Sequence, residues 1–98
     1  MGNRHARVIT GPDDFHRVRA GDILVCPHTD PAWTPLLRIV AGVVTDIGGV
    51  LSHAAIIARE LHIPAVLGNP LSTTEIPDGA IITIDGTTGT IELPPGHP

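Results

Sequence analysis

A helical period enclosed between two strand-like runs is the feature that most limits how this chain can fold. Ala54, Ile57, Ala58 and Leu61 recur at i, i+3, i+4 and i+7, so they share one face. The spacing predicts a helix of about ten residues with that face turned inward. Ser52 is a suitable N-cap and Pro64 marks the exit. Gly42-Val43-Val44-Thr45 before the helix and Pro64-Ala65-Val66-Leu67-Gly68 after it both read as strands.

The remaining segments extend this pattern to a mixed α/β single domain over residues 1–98. Arg7 to Thr10 reads as a strand closed by Gly11-Pro12, and Asp13 to Ala20 as an irregular stretch anchored inward by Phe15 and Val18. Asp22 to Cys26 reads as a buried strand. Thr34 before Pro35 predicts an N-cap and a short helix from Pro35 to about Ala41, with Trp33 over its entrance. Pro70 to Thr74 reads as a loop, and Ala80–Ile84 and Thr90–Leu93 form a hairpin around Asp85-Gly86. Pro94 to Pro98 is expected to be a flexible tail.

Composition removes several functions. All six basic residues are Arg, so there is no Walker-type phosphate loop and no Schiff-base amine. A formal net charge of -4 and only 2% aromatic residues argue against nucleic-acid binding. No run of apolar residues is long enough for a signal peptide or a membrane span, and a cytoplasmic protein is expected. Cys26 is the only cysteine; with His28 it supplies two ligands at most, too few to close a tetrahedral metal site. His62 lies at the far end of the helix that begins near His53, about 13 Å of helix rise away, so the two cannot share a metal. His5, His16 and His97 fall in weakly organised segments and read as solvated. No metal site is expected.

The chemistry lies in Thr45-Asp46-Ile47-Gly48-Gly49-Val50-Leu51-Ser52-His53: a strand end, a glycine turn and a histidine in the first helical turn. First-turn N–H groups lack intrahelical partners and carry the positive end of the dipole, so they can hold phosphate oxygens, and glycine lets the backbone approach. A neutral imidazole there has one nitrogen lone pair free to attack phosphorus. His53 is the candidate nucleophile, with Gly48, Gly49, Ser52 and, at the strand end, Thr45 as candidate phosphate contacts. A histidine in a first helical turn whose glycines merely make the turn is the competing reading.

The stretch from Gly48 to Gly68, Gly48-Gly49-Val50-Leu51-Ser52-His53-Ala54-Ala55 and onward through Arg59-Glu60-Leu61-His62-Ile63-Pro64, resembles the phosphohistidine signature of PEP-utilising enzymes. The similarity extends to Gly21–Val25, to Thr29-Asp30-Pro31-Ala32-Trp33-Thr34-Pro35-Leu36, and to Asp78-Gly79 with Asp85-Gly86. It implies a swivelling β/β/α domain, as in PEP synthase, pyruvate phosphate dikinase and rifampin phosphotransferase, with His53 as the phosphorylated residue. The resemblance further implies an ATP-grasp partner that loads His53 using ATP and Mg²⁺, and a PEP- or pyruvate-binding or other acceptor domain. No cofactor is then held by this domain itself. The dikinases often carry a regulatory Thr two residues before the histidine; Leu51 stands there instead, so that control should be absent. Arg59 matches a recurrent arginine of the family, and either steers phosphate from a partner or forms a salt bridge, to Asp46 or to a partner domain. Ile56 lies outside the inward stripe. The alternative from another class is a noncatalytic swivel-fold interaction or regulatory module that retains the turn.

Overall fold

In the computed structural model the described residues are 4–49, 51–70, 72–86 and 89–92. Val50, the turn pair Thr87-Thr88 and the expected tail from Pro94 to Pro98 lie outside them. Strands β1 (Arg4–Val8), β2 (Ile23–Cys26), β3 (Gly42–Thr45), β4 (Ala65–Val66), β5 (Ile81–Asp85) and β6 (Thr90–Glu92) make one sheet in the order β4-β3-β2-β1-β5-β6. The first four are parallel neighbours, β5 pairs antiparallel with β1, and β6 pairs antiparallel with β5.

The parallel part needs crossovers, because parallel strands cannot be joined by a tight turn. Three segments make them: a 3₁₀ stretch at Pro12–Arg17, a 3₁₀ turn at Pro31–Trp33 running into α1 (Thr34–Leu37), and α2 (His53–Leu61). Ile9, Val18, Leu24, Cys26, Trp33, Leu37, Val43 and Ala58 form the core between them and the sheet. Phe15 meets Trp33 edge to face, ring centroids 4.8 Å apart. On the opposite face Ala6, Ile23, Val25, Val44, Val66, Ile82 and Ile84 pack with Ile76, which follows the single-turn helix α3 (Ser72–Glu75). Alternate residues of β2 therefore enter opposite cores, and all four are buried.

The sheet curls far enough that β4 returns against the end of β5 without pairing to it. A Cβ on Gly86 would stand 3.0 Å from Ala65 N, and one on Gly42 would reach Ile84 Cδ1 at 2.7 Å. Small residues at both places permit the near-barrel curvature.

The expected helix at residues 35–41 is shorter and begins differently. Asp30, not Thr34, caps the entry, its carboxylate accepting from Ala32 N at 2.9 Å. Ala41 N then donates to Asp22 O at 2.7 Å and Gly21 N to Ile39 O at 2.9 Å, which draws residues 39–41 alongside the start of β2 and ends the helix at Leu37. Three more expectations are corrected. The first strand begins at Arg4 rather than Arg7, Pro12–Arg17 is a 3₁₀ helix rather than irregular, and Ser72–Glu75 is a helical turn rather than loop. The periodic helix is α2, with Ala54, Ala55 and Ala58 buried and Ile57 and Leu61 packed on the core.

Candidate functional site

The site forms where β2 and β3 end together. Asp46 N donates to Cys26 O at 3.1 Å and Ile47 N to Pro27 O at 3.0 Å, so the pairing continues past both strands. The two connections that follow, beginning at residues 28 and 46, emerge side by side. This is the carboxyl edge of parallel strands, where α/β folds place their ligands.

His53 is the first residue of α2 and is half-buried between these connections. Its Nδ1 lies 2.8 Å from Thr29 Oγ1 and its Nε2 3.3 Å from Thr34 Oγ1. The ring is thus bracketed by two hydroxyls. A hydroxyl can donate or accept, so the pair can satisfy either neutral tautomer. Sequence reading expected an accessible imidazole and did not assign Thr29 or Thr34 to the site. The signal was present in the Thr29–Leu36 stretch, but Thr34 was read there as a helix cap.

Ser52 organises the helix start. Its hydroxyl accepts from Ala55 N at 3.3 Å as the N-cap and donates to Gly49 O at 2.8 Å. Gly48 has φ +126°, and a Cβ there would crowd Ser52 Oγ at 3.3 Å; at Gly49 the space is open. Thr45 is buried, with its hydroxyl accepting from Gly68 N at 3.3 Å and its carbonyl from Asn69 N at 3.0 Å. Gly68, at φ +68°, is pressed against the glycine turn, since a Cβ there would come within 2.7 Å of Gly48 O. Thr45 and Gly68 thereby support the turn from behind. Asp46 holds the start of α3, accepting from Thr73 N at 2.9 Å and Thr73 Oγ1 at 2.6 Å.

Arg59 borders a groove of about 630 Å³ with His62, Ala65, Asp85 and Gly86, which runs along α2 from Ala55 onward. Cys26 and His28 do not converge, because the thiol is fully buried and His28 is exposed. Burial, and secondarily the charge of Asp46, push the Cys26 thiol from 9.0 up to about 12. Such a thiol is inert as a nucleophile. Ile47, Leu51 and Ile56 are exposed. His5 Nδ1 sits 3.2 Å from Gly79 O, His16 is exposed, and His97 lies outside the described residues. Among the described residues no three His, Cys, Asp or Glu side chains gather into a possible metal set. None of their helices is long and apolar enough to cross a membrane.

The strand end, the glycine turn and the helix-start histidine all fall within the match to a known family model. The model for the PEP-utilising enzyme, mobile domain, matches residues 18–89, which contain every residue of this site. The chain belongs to that family. An uncharacterized phosphotransferase, YvkC, of Bacillus subtilis (strain 168) is 49% identical over 87 residues, 89% of this chain and 10% of the relative. A rifampicin phosphotransferase of Streptomyces sviceus is 51% identical over 78% of this chain and 9% of its own length. A phosphoenolpyruvate synthase of Aeropyrum pernix is 45% identical over 85% of this chain and 10% of its own. In structure, this mobile domain matches the NMR solution structure of Enzyme I (nEIt) with a TM-score of 0.70 and 31% identity, over 84% of this chain and 34% of that one. The domain therefore spans about a tenth of the curated phosphotransferases it resembles, and their remaining length holds other domains.

Proposed function

We propose that this domain is a phosphoryl carrier. His53 takes a phosphoryl group from a nucleotide-binding partner of the ATP-grasp type and yields it to a small acceptor, pyruvate or another, held by a further domain. The observation that carries this reading is the placement of His53 at the start of α2 with Thr29 Oγ1 at 2.8 Å from Nδ1. A proton on Nδ1 donates to Thr29 and fixes the tautomer, which leaves the lone pair on Nε2. The Nε2 lone pair attacks phosphorus, the Nε2–P bond forms, and the bond from phosphorus to the donor oxygen breaks. That oxygen leaves with the bonding pair, while the Nδ1 proton stays on the ring. The helix start favours the anionic group once attached. Gly48 and Gly49 let backbone approach it, and Ser52 and Thr45 hold that turn through their own hydrogen bonds. Arg59, about two turns along α2, borders the groove assigned here to contact with a partner domain. ATP and Mg²⁺ belong to the partner's nucleotide site, and this domain binds no cofactor of its own.

The test mixes the chain with an ATP-grasp partner and ATP labelled in its transferable phosphates. The expected result is acid-labile, base-stable label on the wild type and none on His53→Ala. Equal label on His53→Ala overturns the reading, and a wild type that stays unlabelled favours the noncatalytic module.

A further inference from the structure

We infer that Thr34 is a contact of the transferred phosphoryl group, its hydroxyl covering Nε2 in the resting domain and turning to donate to a phosphoryl oxygen once the Nε2–P bond has formed. The inference rests on the proposed phosphorylation of His53.

Three observations carry it. First, the Thr34 hydroxyl has no capping duty, although the residue opens a helix. The turn before α1 is capped by Asp30, and α1 itself begins without a side-chain cap bond. The fold instead brings Thr34 Oγ1 to His53 across nineteen residues of sequence. Second, the two contacts on the ring are unequal. Thr29 holds Nδ1 at 2.8 Å, toward the short end of the usual hydrogen-bond range, whereas Thr34 stands at 3.3 Å from Nε2, just past its long end. The tight bond is on the nitrogen whose proton must persist, and the loose one on the nitrogen whose lone pair must be released. Third, the space is shared. A phosphorus bonded to Nε2 must fit beside that nitrogen, and a Thr34 Oγ1 only 3.3 Å from it leaves little room for both.

The hydroxyl must therefore rotate as the bond forms, and the nearest acceptor after rotation is an anionic phosphoryl oxygen. A hydroxyl bond to such an oxygen is shorter and about twice as strong as a neutral one. Thr34 keeps its proton throughout: it accepts no charge, and the donor's leaving group departs with the bonding pair as before.

The experiment loads the full chain with potassium phosphoramidate near neutral pH, breaking the reagent's P–N bond with loss of ammonia. The His53 phosphoryl signal is assigned by ³¹P NMR as the one missing from His53→Ala, and its first-order loss is followed together with intact mass. Loss is expected about tenfold faster in Thr34→Val and within twofold of wild type in Thr34→Ser, since one bond to a charged group is removed and then restored. Thr34→Ala removes the same oxygen without β-branching, and gives the same answer should Thr34→Val not fold. Lifetimes within twofold of wild type in the folded oxygen-less variant overturn the inference and leave the carrier reading intact. So does a Thr34→Ser variant that loses the group as fast as Thr34→Ala. A wild type that takes no phosphoryl group on His53 overturns the carrier reading and this inference together.

Discussion

Raising the pH should weaken this domain through one atom, the sulfur of Cys26. The chain has no Tyr, and its six basic residues are all Arg, whose guanidinium stays charged throughout the accessible range. Between the α-amino group, near pH 8, and the guanidinium, Cys26 is the only side chain that titrates. Its thiol is fully buried on the inner face of β2, and desolvation, with the charge of Asp46 second, moves it from 9.0 to about 12. The native state thus keeps a proton that the unfolded chain releases. Stability from this group is complete below pH 9 and falls as the pH climbs from 9 toward 12. Each unit in that window costs slightly over 1 kcal/mol, so at about pH 10.5 the loss reaches roughly 2 kcal/mol, a large share of what a domain of this size possesses. The assay is urea unfolding under a non-thiol reductant near pH 8 and near pH 10.5, for wild type and Cys26→Ala. The variant loses packing energy equally at both values, whereas the wild type loses the further 2 kcal/mol only at the higher one. A flat wild type, or a Cys26→Ala variant that declines just as steeply, would refute the reasoning.

Two further predictions concern backbone conformation. Gly68→Ala should destabilise by about 2–4 kcal/mol in urea unfolding, because φ is +68° and the new Cβ meets Gly48 O at 2.7 Å. Gly79→Ala, at φ +86° with nothing within 4 Å, should cost only about 1–2 kcal/mol, and equal losses for the two would show that the approach to the glycine turn is immaterial. His62 ends α2 in the left-handed region at φ 58°, with His62 N donating to Arg59 O and Ile63 N to Ala58 O. Glycine is the favoured residue in that arrangement, so His62→Gly should raise stability by about 0.5–1 kcal/mol, read as a higher melting temperature.

Local signals served well where one short segment decides its own structure. Ser52, the Ala54–Leu61 stripe and Pro64 mark α2 because cap, period and stop all lie within the helix and its flanks. The 3₁₀ stretch at Pro12–Arg17 was not legible, since six residues in that geometry give no stripe of apolar positions to recognise. His53 could be singled out for the same reason as α2, as part of the helix start. Its bracket could not: Thr29 and Thr34 reach it from another crossover, and nothing at their own positions distinguishes a hydroxyl that caps from one that meets a distant ring. Asp46 shows the same limit, its partner Thr73 lying on the far side of α2 and β4.

Thr29 and Thr34 belong to one crossover and His53 to the next, and the two are held in step by the continued pairing of β2 with β3. A stretch running from Ile23 through Leu61 therefore contains all three side chains yet would not work as an excised peptide, for it lacks β1 and β4, which flank that ladder in the sheet. The same logic makes the far flank of the sheet a tolerant place for cutting and splicing. Linkers or neighbouring modules can be attached beyond β6 without disturbing the chemistry at the opposite strand ends.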